Sequence, residues 1–232
     1  GGFATNPDFT KLHIDTEFEL NLTYANDSTF ITDKDFKLNT DITYNYSTEV
    51  IDIAPSNIAL ENGEFELNGS VNLKEDINLD INLKGRKPNF DLLIAFGPPE
   101  IVPILKQYKN SGVFYFDAKV TGPSLHALPH IDVVFGAENA FVENTKINKK
   151  INNLGFKGTF TSGRDNTLET MEMTISKFSA EPGKGVFEAY LSVKNFNQPD
   201  VNFNINTDLD LQYVADFLNI PAIEHIAGKV NL

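Results

Sequence analysis

The chain has 232 residues, enough for one large β domain or two small ones. Its 19 Lys and Arg against 32 Asp and Glu give a formal charge of −13, the wrong sign for neutralising nucleic-acid phosphates or docking on an anionic membrane surface. Cysteine is absent, which removes disulfides, thiolate metal sites and a cysteine nucleophile from consideration, and no run of about eighteen apolar residues offers a membrane-spanning helix.

Strand periodicity dominates from the start. Over residues 12–24, Leu12, Ile14, Phe18, Leu20 and Leu22 alternate with His13, Asp15, Glu17, Glu19 and Asn21, the period-two pattern of a sheet with one wet face. At about 3.3 Å per residue this is roughly 40 Å of strand, twice the usual length. The same alternation runs through Phe36, Leu38, Thr40, Ile42, Tyr44, Tyr46, Thr48 and Val50, predicting one strand over 36–50. Phe65, Leu67, Gly69, Val71 and Leu73, the polar turn Lys74-Glu75-Asp76, and Ile77, Leu79, Ile81 and Leu83 read as a hairpin.

Helical signal is confined to two places. Residues 91–96 lead to Gly97-Pro98-Pro99, after which 100–108 read as a turn or two of helix limited by Pro103. The second place is 211–218, ended near Pro221. Between them, alternating runs recur at Phe114/Phe116/Ala118/Val120, Ile131/Val133/Phe135, Leu154/Phe156/Gly158/Phe160, Met171/Met173/Ile175, Phe187/Ala189/Leu191/Val193 and Val201/Phe203/Ile205. Asparagine, a poor strand former, fills many outward slots. Gly1-Gly2-Phe3 and the alternation beginning at Gly228 read as the ends of a segment excised from a longer protein.

Residues 76–82 align with 200–206, Ser56-Asn57-Ile58 with Ser176-Lys177-Phe178, and residues 112–116 with 228–232, which predicts a duplicated unit of about 120 residues with small loop insertions. The expected organisation is leading long strands over 1–55, a strand-hairpin-helix unit over 56–122, and a second unit over 123–232 truncated at its last strand. One-faced strands must hide that face either in a closed sandwich or barrel or in an open array covered by helices, further repeats or ligand. The long strands favour the array. The predicted fold is mainly β: long antiparallel meander strands in a curved, twisted sheet with an apolar concave face and two short helices.

Gly122-Pro123-Ser124, residues 129–135 (Pro129-His130-Ile131 onward) and residues 137–142 together resemble the AsmA family of Gram-negative envelope proteins. Residues 151–160 and the line from Leu168 to Ser179, ending Ser176-Lys177-Phe178-Ser179-Ala180, are similar to the family's following strands. The resemblance covers roughly residues 50–232 and consists of spacing, not invariant side chains. It implies a periplasmic protein anchored in the inner membrane through a segment outside this chain, with repeating sheets that form a hydrophobic groove for phospholipid. It also implies a role in lipid transport and outer-membrane assembly, with envelope proteins and neighbouring repeats as partners.

The residues expected to line such a groove are Leu67, Val71, Leu73, Ile77, Leu79, Ile81, Leu83, Phe187, Leu191, Val193, Val201, Phe203 and Ile205. The expected ligand is a phospholipid or other acyl chain, with no nucleic-acid partner, no cofactor, no metal and no catalytic residue. Among the histidines, His126 and His130 have helix-like spacing, but Pro129 and the strand that follows forbid a helix and no third ligand is suitably spaced. Asp33-Lys34-Asp35, Lys74-Glu75-Asp76 and Asp208-Leu209-Asp210 lack the spacing of a calcium loop and read as solvated turns. Gly183-Lys184-Gly185 reads as a turn and not as a phosphate loop. The competing readings are a β-sandwich module, Ig-like or jelly-roll, that binds protein or glycan, and a hydrolase with convergent acids.

Overall fold

The computed structural model describes residues 1–23, 29–74, 76–96, 102–218 and 229–231. Thirteen strands form one antiparallel sheet whose spatial order is their chain order. They are β1 (Gly2–Thr5), β2 (Phe9–Thr23), β3 (Thr29–Asn45), β4 (Val50–Leu60), β5 (Gly63–Asn72), β6 (Asn78–Lys87), β7 (Lys109–Pro123), β8 (His130–Asn144), β9 (Lys149–Thr161), β10 (Glu172–Pro182), β11 (Val186–Lys194), β12 (Asp200–Asp210) and β13 (Lys229–Asn231). Helices α1 (Asp91–Phe96) and α2 (Val102–Leu105) lie between β6 and β7, and α3 (Leu211–Leu218) follows β12. The sheet is unclosed, which is not the two-sheet arrangement of a sandwich. Residues 55 and 122 lie inside β4 and β7, and the ladder shifts register beside residue 55.

The alternation fixes the register, because a one-residue slip would turn every apolar side chain to the wet face. Cross-strand partners share a face, so the pairings can be followed as rows. One row runs Leu38, Ile58, Phe65, Gly85, Phe116, Phe135, Gly158, Ile175, Leu191, Phe203. A second runs Leu67, Leu83, Ala118, Val133, Phe160, Met173, Val193, Val201. Two glycines in the first row are covered by the aromatic ring beside them. A Cβ on Gly85 would lie 2.7 Å from the Phe65 ring, and one on Gly158 would lie 2.3 Å from the Phe135 ring. The ring replaces the contact that glycine cannot make.

The buried core lies toward the sheet end that carries the helices. Leu92, Ile94 and Ala95 of α1 are buried with Leu60, Phe65, Phe90 and Phe114, and the cluster continues through Ala137, Ala140, Leu154 and Ala180. At the same end α3 buries Ala215 and Phe217, with Tyr108 stacked on Phe217 at 5.2 Å between ring centroids. The Tyr213 hydroxyl accepts from the Lys150 amide at 2.9 Å and donates back to the Lys150 carbonyl. Several strands carry β-bulges. Asp33, Asn139, Asn153 and Lys177 sit at positive φ within β3, β8, β9 and β10, close to shifts in pairing register. The two asparagines suit that backbone because Asn tolerates the left-handed region.

Four sequence expectations need correction. The predicted strand over 36–50 is broken at 46–49, where Asn45 Oδ1 accepts from the Ser47 and Thr48 amides, both at 3.0 Å. Glu49 then turns left-handed at φ 57°, and Val50 opens β4. This side-chain turn overrides an alternation that continues through it in sequence. Asp33-Lys34-Asp35 is not a solvated turn but part of β3, with Lys34 buried and its Nζ donating to the Ile94 carbonyl at 3.3 Å. A cation suits this position because it lies at the negative end of α1. Asp208-Leu209-Asp210 ends β12, and Asp210 Oδ1 caps α3 through the Gln212 and Tyr213 amides at 2.9 and 3.2 Å. The first helical place holds two helices, α1 and α2. Glu75, Gly97-Pro98-Pro99, Pro221 and Gly228 lie outside the described residues.

Candidate functional site

The thirteen residues predicted to line a groove fall into two groups. Leu67, Val71, Leu73, Ile77, Leu79, Ile81 and Leu83 belong to β5, β6 and their connector, with Leu67 opposite Leu83 and Val71 opposite Leu79. Phe187, Leu191, Val193, Val201, Phe203 and Ile205 belong to β11 and β12, with Leu191 opposite Phe203 and Val193 opposite Val201. Four strands separate the groups. The same-face residues of those strands, among them Phe116, Val133, Phe135, Phe160, Met173 and Ile175, join the groups into continuous rows. Their period-two pattern was visible in the sequence, but only the register shows that they bridge the two sets.

None of the thirteen belongs to the buried core. Val201 is 51% exposed, Phe203 66% and Ile205 39%, while most of the others are half-buried. Isolated exposed apolar residues are ordinary, but a run of three on one strand face is not. Among the described residues, β12 is paired over Asp200–Thr207 only to β11, and β13 joins it at Asp208–Asp210.

The reverse face is charged and laced by cross-strand ion pairs. Lys37 meets Glu17 at 2.8 Å, Lys84 meets Asp117 at 3.4 Å, Lys119 meets Asp80 at 3.4 Å and Lys194 meets Glu172 at 3.4 Å. All of these groups are exposed, so each pair contributes little to stability; their role is to keep that face wet. A cavity of about 430 Å³ on this side is lined by Glu66, Lys84, Arg86, Tyr115 and Asp117. Another, of about 580 Å³, lies by Phe3, Leu12, Ile42, Ile53 and Gly69 near the first strands. A third, of about 460 Å³, borders Lys177, Glu188, Tyr190 and Asn204. None of the thirteen predicted residues lines any of these three cavities.

Ionisable clusters are sparse. Among the described residues no group of three His, Asp or Glu is placed to hold a metal ion. His130, weighed in the sequence only as a metal ligand, instead joins a hydrogen-bond network. Its Nε2 lies 3.0 Å from Asp132 Oδ2, and its Nδ1 lies 3.0 Å from Asn166 Oδ1, 3.1 Å from the Gly163 carbonyl and 3.3 Å from Ser162 Oγ. The order Ser162, His130, Asp132 resembles that of a nucleophilic triad. However, Ser162 is only 1% exposed and its hydroxyl donates to Asn166 at 2.7 Å, so it is neither reachable by substrate nor aimed at the imidazole as a nucleophile requires.

No helix of the described residues is long and apolar enough to cross a membrane. No protein-family model, no curated protein and no solved structure matches the chain.

Proposed function

We propose that this chain is a non-enzymatic segment of an AsmA-like envelope protein and that the apolar side of its sheet is the concave wall of a groove for acyl chains. In this reading the protein works in the periplasm, held at the inner membrane by a segment outside the chain, and handles phospholipid during outer-membrane assembly. The duplicated unit of about 120 residues belongs to the same proposal, as successive stretches of one wall. A helix follows β6 and another follows β12, six strands later, which is consistent with that repeat.

The observation that carries the reading is the exposure of Val201, Phe203 and Ile205 at the end of rows that are apolar across the sheet. Among the described residues α1 packs on β5, β6 and β7 and α3 on β9 and β12, and these three side chains stay exposed beside α3. The β-bulges also support it, because bulges bend the strands that carry them. Burying one methylene is worth about 0.8 kcal/mol, so twelve would supply roughly 10 kcal/mol before ordering costs. Such a wall requires no precise polar site.

Native mass spectrometry of the purified chain after incubation with zwitterionic palmitoyl-oleoyl phosphatidylcholine vesicles tests the proposal. The expected result is a lipid adduct that Ile81→Asp abolishes and Asn78→Asp leaves intact, since Ile81 is on the apolar face opposite Val120 and Asn78 is exposed on the other side. Absence of an adduct in the unsubstituted chain, or equal loss in both variants, would overturn it.

A further inference from the structure

The end of the sheet opposite the helices is stitched connector to connector. Tyr46 N–H donates to the Asp8 carbonyl, Leu73 to Glu49, Ser124 to Ile77, and Phe196 to Leu168. These stitches are made between backbone groups. Between the β7–β8 connector and the β9–β10 connector the stitch is made by side chains, and His130 is at its centre.

Every partner of the His130 ring presents an acceptor. Asn166 Nδ2 donates to the Leu128 carbonyl at 3.1 Å, which fixes its Oδ1 toward the ring. Ser162 Oγ spends its proton on that same Oδ1 at 2.7 Å and accepts from the Ile131 amide at 2.9 Å. Gly163 offers a carbonyl and Asp132 a carboxylate. A neutral imidazole has one N–H, so it would turn a lone pair either toward Asp132 or toward Asn166 and Gly163. Only the imidazolium satisfies both sides.

We propose that His130 is a proton-operated clasp: protonated, it adds to the Ser162 N–H bond to the Ile131 carbonyl at 2.8 Å in holding the β9–β10 connector to the start of β8 and, through Leu168 and Phe196, to the β11–β12 connector, and on losing its proton it loosens that end of the sheet. The charged surroundings are few. On β8 the ring faces Asp132. On β7 its register partner is Thr121, and Lys119, opposite Asp132, is paired to Asp80. Across β9, Thr161 stands opposite Asp132 and, on β10, Glu172. Arg164, Asp165 and Glu169 belong to the β9–β10 connector, and none of them bonds to the ring.

The Asn166 oxygen, and after it Asp132 and the Gly163 carbonyl, raise the His130 pKa above its ordinary value of 6.5 against the opposing effect of desolvation. A histidine raised on folding stabilises the closed form fully below the unfolded-state value, and that contribution is lost as pH rises through the folded-state value.

The test is an NMR titration of the isotope-labelled full chain from pH 5 to 9, following the His130 ring and the hydrogen-exchange protection factors of the Ile131 and Phe196 amides. The ring should titrate above about 6.5. Protection at both amides should fall about tenfold through that transition, while Gly185, whose amide bonds Pro182 at the helix end, stays constant. In His130→Gln the fall should vanish, and in Asp132→Asn the midpoint should move down. A ring that titrates at or below the ordinary value, protection that ignores the transition, or a fall that persists in His130→Gln would each overturn the proposal.

Discussion

Truncating two phenylalanines of the same row should give opposite results if the apolar face is open where β12 carries it. Phe65 is 2% exposed, beneath α1 and 6.0 Å from the Phe116 ring. Phe203 is 66% exposed. Removing a fully buried phenylalanine costs about 3–5 kcal/mol, because a cavity is left as well as the transfer energy lost. Complete burial of a phenylalanine is worth about 1.5–3 kcal/mol, so Phe203, with a third of its surface covered, should lose only about 0.5–1 kcal/mol on truncation, with no cavity. With a urea m-value near 3 kcal/mol/M, Phe65→Ala should lower the unfolding midpoint by about 1–1.7 M and Phe203→Ala by about 0.3 M or less. Far-UV circular dichroism reads both, and emission from the seven tyrosines gives a second probe because the chain has no tryptophan. Phe203→Ala should nevertheless weaken the phosphatidylcholine adduct. A cost above about 2 kcal/mol for Phe203→Ala would mean that this side chain is sealed, and the argument for an open wall would fail.

Two further substitutions probe the packing. Gly158→Ala places a Cβ 2.3 Å from the Phe135 ring and should cost about 1–3 kcal/mol, whereas Gly155→Ala, where the nearest atom is 3.5 Å away, should be close to neutral in the same urea titration. Tyr213→Phe removes both hydrogen bonds to the Lys150 backbone; it should cost about 1–2 kcal/mol and accelerate exchange of the Lys150 amide, and unchanged exchange would show that α3 is held by its other contacts, among them the bonds of Asn144 and Tyr108 to the Phe217 carbonyl and the Lys149–Asp216 pair.

Much of the sheet was legible because period-two alternation is a direct image of a half-buried strand. Residues 12–23, 65–71 and 201–205 were read as strands and pair as such. The reading failed where a local side-chain bond outcompeted the pattern. Asn45 closes a turn within a run whose alternation continues, so β3 and β4 looked like one strand. β4 was hard to see because Ala54-Pro55-Ser56 interrupts its alternation, and the ladder shifts register there. Lys34 looked solvated because its neighbours are both aspartates; its burial depends on α1, sixty residues away in the chain. The wall residues were identified only in two patches, since the register across β7 to β10 is not a property of any short segment. The His130 network joins residues more than thirty positions apart through two connectors, and no spacing rule would have found it.

A strand order identical to chain order has a consequence for size. Each ribbon pairs with the one before and the one after, with α1 and α3 adding contacts across several strands, so ladder stability accumulates from neighbour to neighbour and no distant strand pairing closes the sheet. Whole hairpins can then be added or removed in evolution without redesigning the remainder, provided each strand still points its greasy side the same way. Reach becomes a dimension set by tally, at about 4.8 Å for every ribbon added.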